Sequence, residues 1–418
     1  MSQIREQLQQ YMGRRFDATP LPADSGDMWK DNEALTQWYL ESAFFRDFVY
    51  RNPYKAPGKE FSDALIVFDD TLIIVQNKTQ QSGTDPLLWA RKNVNDALRQ
   101  LRGSYRNLKD GLVTSFVNEF VGSRIEVKID DYTTVFGVIV LAHEGPPYDP
   151  YPMLQSAHTP DCPFTILSLE DLLIIADRMD TAANLITYFE YRFDCMSRGF
   201  RPRVNDELAN MEHIAGVVPE ILRPHFRDLD REKQEASIGS VVKTLRTRVK
   251  DHPEYALSTL VDDAIARAHD TDPEWTRSAD QSKIMAHEIA TRIGWLDRVR
   301  RIMLGKRLLA AAVRATSAGP QIVTHIQKPR RQMYLWIFTA MAREDRKKLL
   351  ELLSTSAQIK YGFDRVLGVV TEPANGRGRS YDFWMADENV IAVPEEFPED
   401  VFAMLPDLGN MTNIADEL

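Results

Sequence analysis

SDALIVFDDTLIIVQNK, from Ser62 to Lys78, sets two apolar runs on either side of Asp69-Asp70 and places polar residues toward both outer ends. Side chains alternate faces along a strand, so Asp63 falls with Phe61, Leu65 and Val67, while Gln76 and Lys78 fall with Leu72 and Ile74. Closing a hairpin with Asp69-Asp70 as a two-residue turn pairs Phe68 with Thr71 and, counting back, sets Asp63 opposite Gln76 on one face. A four-residue turn about the same centre gives the same pairing. An odd-length loop would send Asp63 and Gln76 to opposite faces.

Outward from this hairpin the pattern alternates between helix and strand. Before it, Leu35, Trp38, Phe45, Phe48 and Val49 recur at helical spacing from Asn32 to Tyr50, and NPYKAPGKE breaks that helix with two prolines and a glycine. After it, Pro86 opens a long helix, TTVFGVIVLA and PFTILS are rich in β-branched and aromatic residues as buried strands are, and a helical stretch runs from Leu169 to about Phe193. This order predicts a mixed α/β layer structure over residues 25–195, following an N-terminal segment 1–24. From Ser197 to Thr316 the pattern is helical and broken at Pro219, Pro224, Pro253 and Pro273, which predicts a helical domain over 196–318. MYLWIFTA, REDRKKLLELLSTSAQ, RVLGVVTE, YDFWMA and NVIAVP then predict a small α/β domain over 319–400, with an acidic tail at 401–418.

The 418 residues are 44% hydrophobic and 27% charged, enough for a full core and for two or three domains. No apolar run approaches the roughly 20 residues that span a bilayer, and Met1 opens no secretory pattern, so a cytoplasmic protein without a membrane partner is expected. Cys162 and Cys195 are too few for a disulfide framework or a thiolate zinc cage and are expected to pack as buried thiols. A formal charge of −10 argues against non-specific coating of nucleic acid, so such a partner needs a local basic patch. There is no HExxH pair and no GxSxG elbow, and LGKRLL lacks the upstream glycine of a phosphate-binding loop.

The hairpin residues suit a divalent-metal phosphodiesterase. Asp63 offers a hard anionic oxygen to Mg2+ or Mn2+, the Gln76 amide offers a neutral one, and Lys78 can orient a water or stabilise phosphate charge. Helical spacing puts Glu41 between Phe45 and Phe48 on the apolar side of its helix, where it should face a cation, either the same metal or Lys78.

Glu41 on a helix, Asp63 at the start of a strand and Gln76-Asn77-Lys78 on the next resemble the PD-(D/E)XK nuclease superfamily, in the QxK variant of Mrr-like restriction enzymes. The resemblance covers roughly Asp31 to Tyr191 and takes in Trp89 and the run Gln100 to Tyr105, although no proline precedes Asp63 and Tyr105 lies one residue beyond the Q-x-x-x-Y spacing. It implies a restriction-endonuclease-like mixed sheet flanked by helices, a DNA-cleaving activity and a role in bacterial defence. Because Gln76 lowers the negative charge of the site, the alternative is a catalytically degenerate scaffold on the same fold that binds nucleic acid or protein. A homo-oligomer or a regulatory partner would suit either.

Basic residues elsewhere offer nucleic-acid contacts. The helix WLDRVRRIMLGKRLLAAAVRAT gathers Arg298, Arg301 and Arg307, the loop NGRGRS carries Arg377 and Arg379, and the helix from Pro86 carries Arg91 and Arg102. The first set equally suits a solvated helix face, whereas an exposed connector is the simpler reading of the loop and a solvated face that of the helix from Pro86.

Overall fold

The computed structural model describes residues 25–56, 59–80, 85–118, 122–143, 145–248, 251–268, 279–315, 319–327, 331–372, 381–387 and 404–405. The expected N-terminal segment, the NVIAVP strand and nearly all of the tail therefore lie outside the described residues. The chain divides into two compact units, one of Thr19–His252 and one built on Pro253–Leu418.

The first unit opens with helix α1 (Met28–Phe44), whose Asp27 side chain caps the Trp29 N–H. The sequence pattern predicts helix as far as Tyr50, but Phe45 takes a positive φ of 63° and ends it; a short 3-10 turn and strand β1 (Val49–Arg51) follow. Strands β2 (Ala64–Phe68) and β3 (Thr71–Thr79) form the hairpin, with Phe68 opposite Thr71 and Ala64 opposite Val75 as the two-residue turn requires. Asp69 sits at φ 53°, a backbone region that aspartate tolerates better than bulkier residues do. Helix α2 (Pro86–Lys109), capped by Asp85, leads to strands β4 (Thr134–Ala142) and β5 (Phe164–Ser168).

These strands make one five-stranded sheet in the order β1-β2-β3-β4-β5, antiparallel across β1, β2 and β3 and parallel across β3, β4 and β5. Such a mixed sheet must bury both faces. On one, Leu65, Val67, Leu72, Ile74, Ile139 and Ile166 meet Ala90, Val94, Leu98 and Leu101 of α2. Gly137 permits that approach, because a Cβ there would stand 2.3 Å from the Leu101 Cδ2. On the other lie α1, helix α3 (Leu169–Met179) and helix α4 (Ala182–Ser197), with Phe44 against Phe68 and Phe136 against Phe189. The pattern predicts one helix over this last stretch; Asp180, at φ 34°, splits it, and the Thr181 side chain caps the second half.

Helix α5 (Glu207–Leu222) packs onto α4, and helix α6 (Arg231–Arg246) packs onto α5, both in this unit, whereas helices α7 (Thr259–Ala266), α8 (Ala279–Gly294) and α9 (Arg298–Ala315) belong to the second. The helical stretch expected at 196–318 is thus shared between two cores. In the second unit, strands β6 (Gln321–Gln327), β7 (Gln332–Phe338), β8 (Arg365–Thr371) and β9 (Tyr381–Asp387) form a sheet in that order, parallel only across β7 and β8. Helix α10 (Arg343–Tyr361) makes the crossover between the parallel pair, burying Leu350, Leu353 and Ala357 against Leu335, Ile337 and Val366. No helix among the described residues is long and apolar enough to cross a membrane.

One close approach in the second unit yields a test. A Cβ on Gly305 of α9 would lie 1.9 Å from the Leu257 carbonyl oxygen, a backbone atom that cannot swing aside. Gly305→Ala is expected to destabilise this unit by at least ~1–3 kcal/mol through overpacking. Gly239→Ala on α6, where a Cβ meets nothing within 4 Å, should instead stabilise its helix, by roughly 0.5–1 kcal/mol. Thermal melts of both variants check the contrast.

Candidate functional site

The ladder between β2 and β3 stops at Ala64, and Asp63 takes over its end by other means. Its N–H donates to the Val75 carbonyl at 3.2 Å, and one carboxylate oxygen accepts from the Asn77 N–H. Its carbonyl accepts from the Asn52 N–H at 3.1 Å and from the Gln37 amide of α1 at 3.4 Å. Four backbone and side-chain bonds therefore fix Asp63 at the sheet end, leaving its second carboxylate oxygen outside them.

Asp63 and Gln76 line one cleft of about 330 Å³, together with Glu60, Phe61 and Ser62 on the hairpin side and Arg99, Gln100, Gly103 and Ser104 of α2. The even register expected from the sequence has brought the pair to one face. Gln76 is only 3% exposed, yet no hydrogen bond joins its amide to another described residue. Its amide is therefore turned toward the cleft rather than tied to the protein. Lys78, two residues along β3 on the same face, bears electrostatically on the Asp63 carboxylate. Burial pushes the Asp63 carboxyl above its ordinary range; the Asn77 N–H and Lys78 pull it back, and Glu60 adds to the rise.

Glu41 meets a different cation from either of those expected. Its carboxylate is buried and receives a two-pronged bond from the Arg51 guanidinium, with Nη2 to Oε2 at 2.7 Å, and Arg46 stands 3.4 Å away. Two turns earlier on α1, the Glu33 carboxylate bears electrostatically on Asp63. Burial raises the Glu33 carboxyl, the Asn52 amide opposes the rise, and Asp63 and Glu60 increase it. Sequence reasoning missed Glu33 and Glu60; helical period locates an apolar face but not which strand end lies beside each turn.

Among the described residues no group of three or more His, Cys, Asp or Glu side chains could hold a metal ion by themselves. The donor set still fits a magnesium-like ion, which takes one or two carboxylates and keeps several waters. Asp63 and the unpartnered Gln76 amide supply two oxygens on one cleft wall, and Glu60 lines the same cleft.

The remaining basic candidates divide. Arg91 is exposed on α2, and Arg102, half-buried there, donates to the Ala157 carbonyl. Arg298 and Arg301 are 0% exposed and both bind the Asp262 carboxylate, at 2.6 and 2.7 Å, so the expected phosphate track is instead an internal ion triad. Arg307 is half-buried on the same helix, and Arg377 and Arg379 lie outside the described residues. Arg99, another basic residue of the helix from Pro86, lines the cleft itself and pairs with Asp96 at 3.1 Å.

Compared with protein-family models, with curated proteins and with solved structures, the chain finds no match.

Proposed function

We propose that this chain is a divalent-metal-dependent nuclease, built on a restriction-endonuclease-like core, that hydrolyses phosphodiester bonds, of DNA in the first place. The observation that carries the reading is the cleft in which Asp63 and an unpartnered Gln76 share a wall, with the charge of Lys78 bearing on Asp63. The five-stranded mixed sheet flanked by helices, with the carboxylate at the end of one strand and the Gln-Asn-Lys run on the next, supports it. A role in bacterial defence belongs to the same proposal.

Asp63 and Gln76 would hold Mg2+ or Mn2+, with Glu60 in reach of the same cleft. When bound, the ion supplies Lewis-acid polarisation of the phosphate and a lowered pKa for water. The chain's own groups do the rest. Asn77 fixes the Asp63 carboxylate through its N–H, Lys78 orients the attacking water or offsets charge on the phosphate, and Arg99 on the cleft wall meets the phosphate backbone. Glu41, held by Arg51 and Arg46, positions α1 rather than the ion.

Incubation with plasmid and linear DNA in Mg2+ or Mn2+, beside Asp63→Ala and Lys78→Ala, tests the proposal; equal behaviour of all three proteins counts against it. A scaffold that has lost catalysis is the second reading, favoured by the neutral Gln76 and by the lack of a three-ligand group among the described residues. It predicts nucleic-acid binding indifferent to metal and to Asp63.

Metal affinity should also report the raised Asp63 carboxyl. The ion competes with a proton, so affinity falls as pH falls through the folded-state pKa, and the fall starts at a higher pH than for an ordinary aspartate. Well below that pKa the loss approaches about tenfold per pH unit. Calorimetric titration with Mn2+ between pH 4 and 8 is the check, and an affinity flat across that range would remove Asp63 from the ligand set.

A further inference from the structure

Helix α2 walls the cleft with Arg99, Gln100 and Gly103 and then continues past it. Steps of three and four residues carry the same helical face through Asp96 and Lys92 to Trp89 and Leu88, at the head of the helix. The strands beneath run the same way. Gln76 and Lys78 of β3 pair with Ile139 and Leu141 of β4, and His143 stands two residues past Leu141. There Trp89 meets the His143 ring edge-on, with centroids 5.5 Å apart, and His143 Nε2 lies 2.8 Å from the Tyr148 hydroxyl. At ~3.3 Å per residue, the four residues from Ile139 to His143 put this aromatic group within ~13 Å of the cleft wall.

The group is packed on its inner side and open on its outer one. Tyr148 is buried, Trp89 and His143 are half-buried, and Leu87 and Leu88 beside them are 42% and 66% exposed. Two adjacent leucines and an indole make a patch, unlike the single apolar residues that any surface carries. Lys92 and Arg99 stand exposed between this patch and the cleft. Asp96 shares their face, but its solvated pair with Arg99 at 3.1 Å is weak enough to yield to a phosphate. Asp85, at the helix cap, is engaged by the Leu88 N–H at 2.8 Å. Aromatic and apolar surface flanked by cations is what takes an unpaired base together with its phosphates. A duplex keeps its bases stacked on one another and cannot use such a surface.

We propose that α2 is a track for single-stranded nucleic acid: a base flanking the scissile phosphate stacks on Trp89 beside His143, and Lys92 and Arg99 take the phosphates between that platform and the cleft. This rests on the nuclease reading and names its substrate class, a single strand or a duplex with an unpaired flank. Tyr148 holds His143, and His143 in turn backs the indole, so the platform is set by packing before any strand arrives.

The test is fluorescence anisotropy with three labelled oligonucleotides of one length, an intact single strand, an abasic strand and a blunt duplex, in Ca2+ at matched ionic strength. A gel run after each titration shows that the probe is whole. Wild type should bind the intact strand about tenfold more tightly than the abasic one, the size of one base stacked on an aromatic ring, and more tightly than the duplex. Trp89→Ala should bring intact and abasic strands to one affinity, and Trp89→Phe should keep most of the difference. Lys92→Ala should weaken both strands alike and lower the slope of log affinity against log salt by about one. Equal wild-type affinity for intact and abasic strands, a wild-type preference for the duplex, or a Trp89→Ala variant that still prefers the intact strand overturns the track. If calorimetry then shows Mn2+ bound to wild type and cleavage depends on Asp63, only the track has failed. If wild type binds neither Mn2+ nor strand, the track and the nuclease reading fall together.

Discussion

Asparagine at position 63 is expected to abolish hydrolysis while leaving the fold as stable as before, or more so. Loss of the anionic ligand removes the charge that fixes the ion and the pull that Lys78 works against, and a fall of roughly 10³-fold or more is expected by analogy with other deleted electrostatic elements. The stability effect has the opposite sign. Burial raises the Asp63 carboxyl, so the folded chain keeps this proton to a higher pH than the unfolded chain does. Stability contributed by the group is therefore present at low pH and is lost as pH rises through the folded pKa; at neutral pH its ionised form opposes folding. Asparagine removes that charge but retains an oxygen to accept the Asn77 N–H. A gain of about 0.5–1 kcal/mol is a reasonable size for relieving a strained functional residue. Thermal melts in EDTA at pH 7 and pH 4 decide the matter, since the advantage of the variant should shrink at the lower pH. A variant that cleaves normally would end the catalytic argument. A clearly destabilised one would show that the carboxylate is needed to hold the sheet end, and would end the burial argument instead.

What the sequence made legible follows the range of each interaction. The hairpin register was readable because alternation and a two-residue turn are local, and Asp63 and Gln76 accordingly share one cleft. The partner of Glu41 was not, because the helical period gives a face but no knowledge that β1 brings Arg51 beneath it. Arg298 and Arg301 stand three residues apart on one helical face, which a periodic pattern cannot tell from a solvated basic face. Their burial is decided by Asp262, on a different helix, and only folding reveals it. Strand β6 went unread since QIVTHIQ mixes polar and apolar residues without clean alternation. The helices from Glu207 onward looked alike in sequence, yet α5 is tied to α4 by a buried ion pair, while Tyr334 of β7 donates to the Arg292 carbonyl of α8 at 2.7 Å. Contacts between distant segments, rather than composition, assign those helices to their cores.

That ion pair carries the second large expectation. Arg192 of α4 and Glu207 at the start of α5 are both 0% exposed at their side chains and lie 2.7 Å apart. Burial raises the Glu207 carboxyl and Arg192 opposes the rise, while Tyr188 donates to Glu207 and the Asn210 amide reaches it at 3.2 Å. Arg192 also donates to Thr165 of β5 at 2.9 Å, so the network joins α5 through α4 to the sheet that carries the cleft. Glu207→Ala leaves a guanidinium buried without its counter-charge, and such losses cost about 3–5 kcal/mol. For a unit of this size that corresponds to a fall in Tm of roughly 6–20 °C. The isosteric pair Arg192→Met with Glu207→Leu should recover most of the loss, because desolvating both ions offsets much of their attraction. Urea titrations of wild type, the single variant and the pair separate the cases. If the single variant unfolds at the wild-type midpoint, then α5 is not held by this pair. If the double variant is as weak as the single one, packing around Tyr188 rather than charge compensation is what the network supplies.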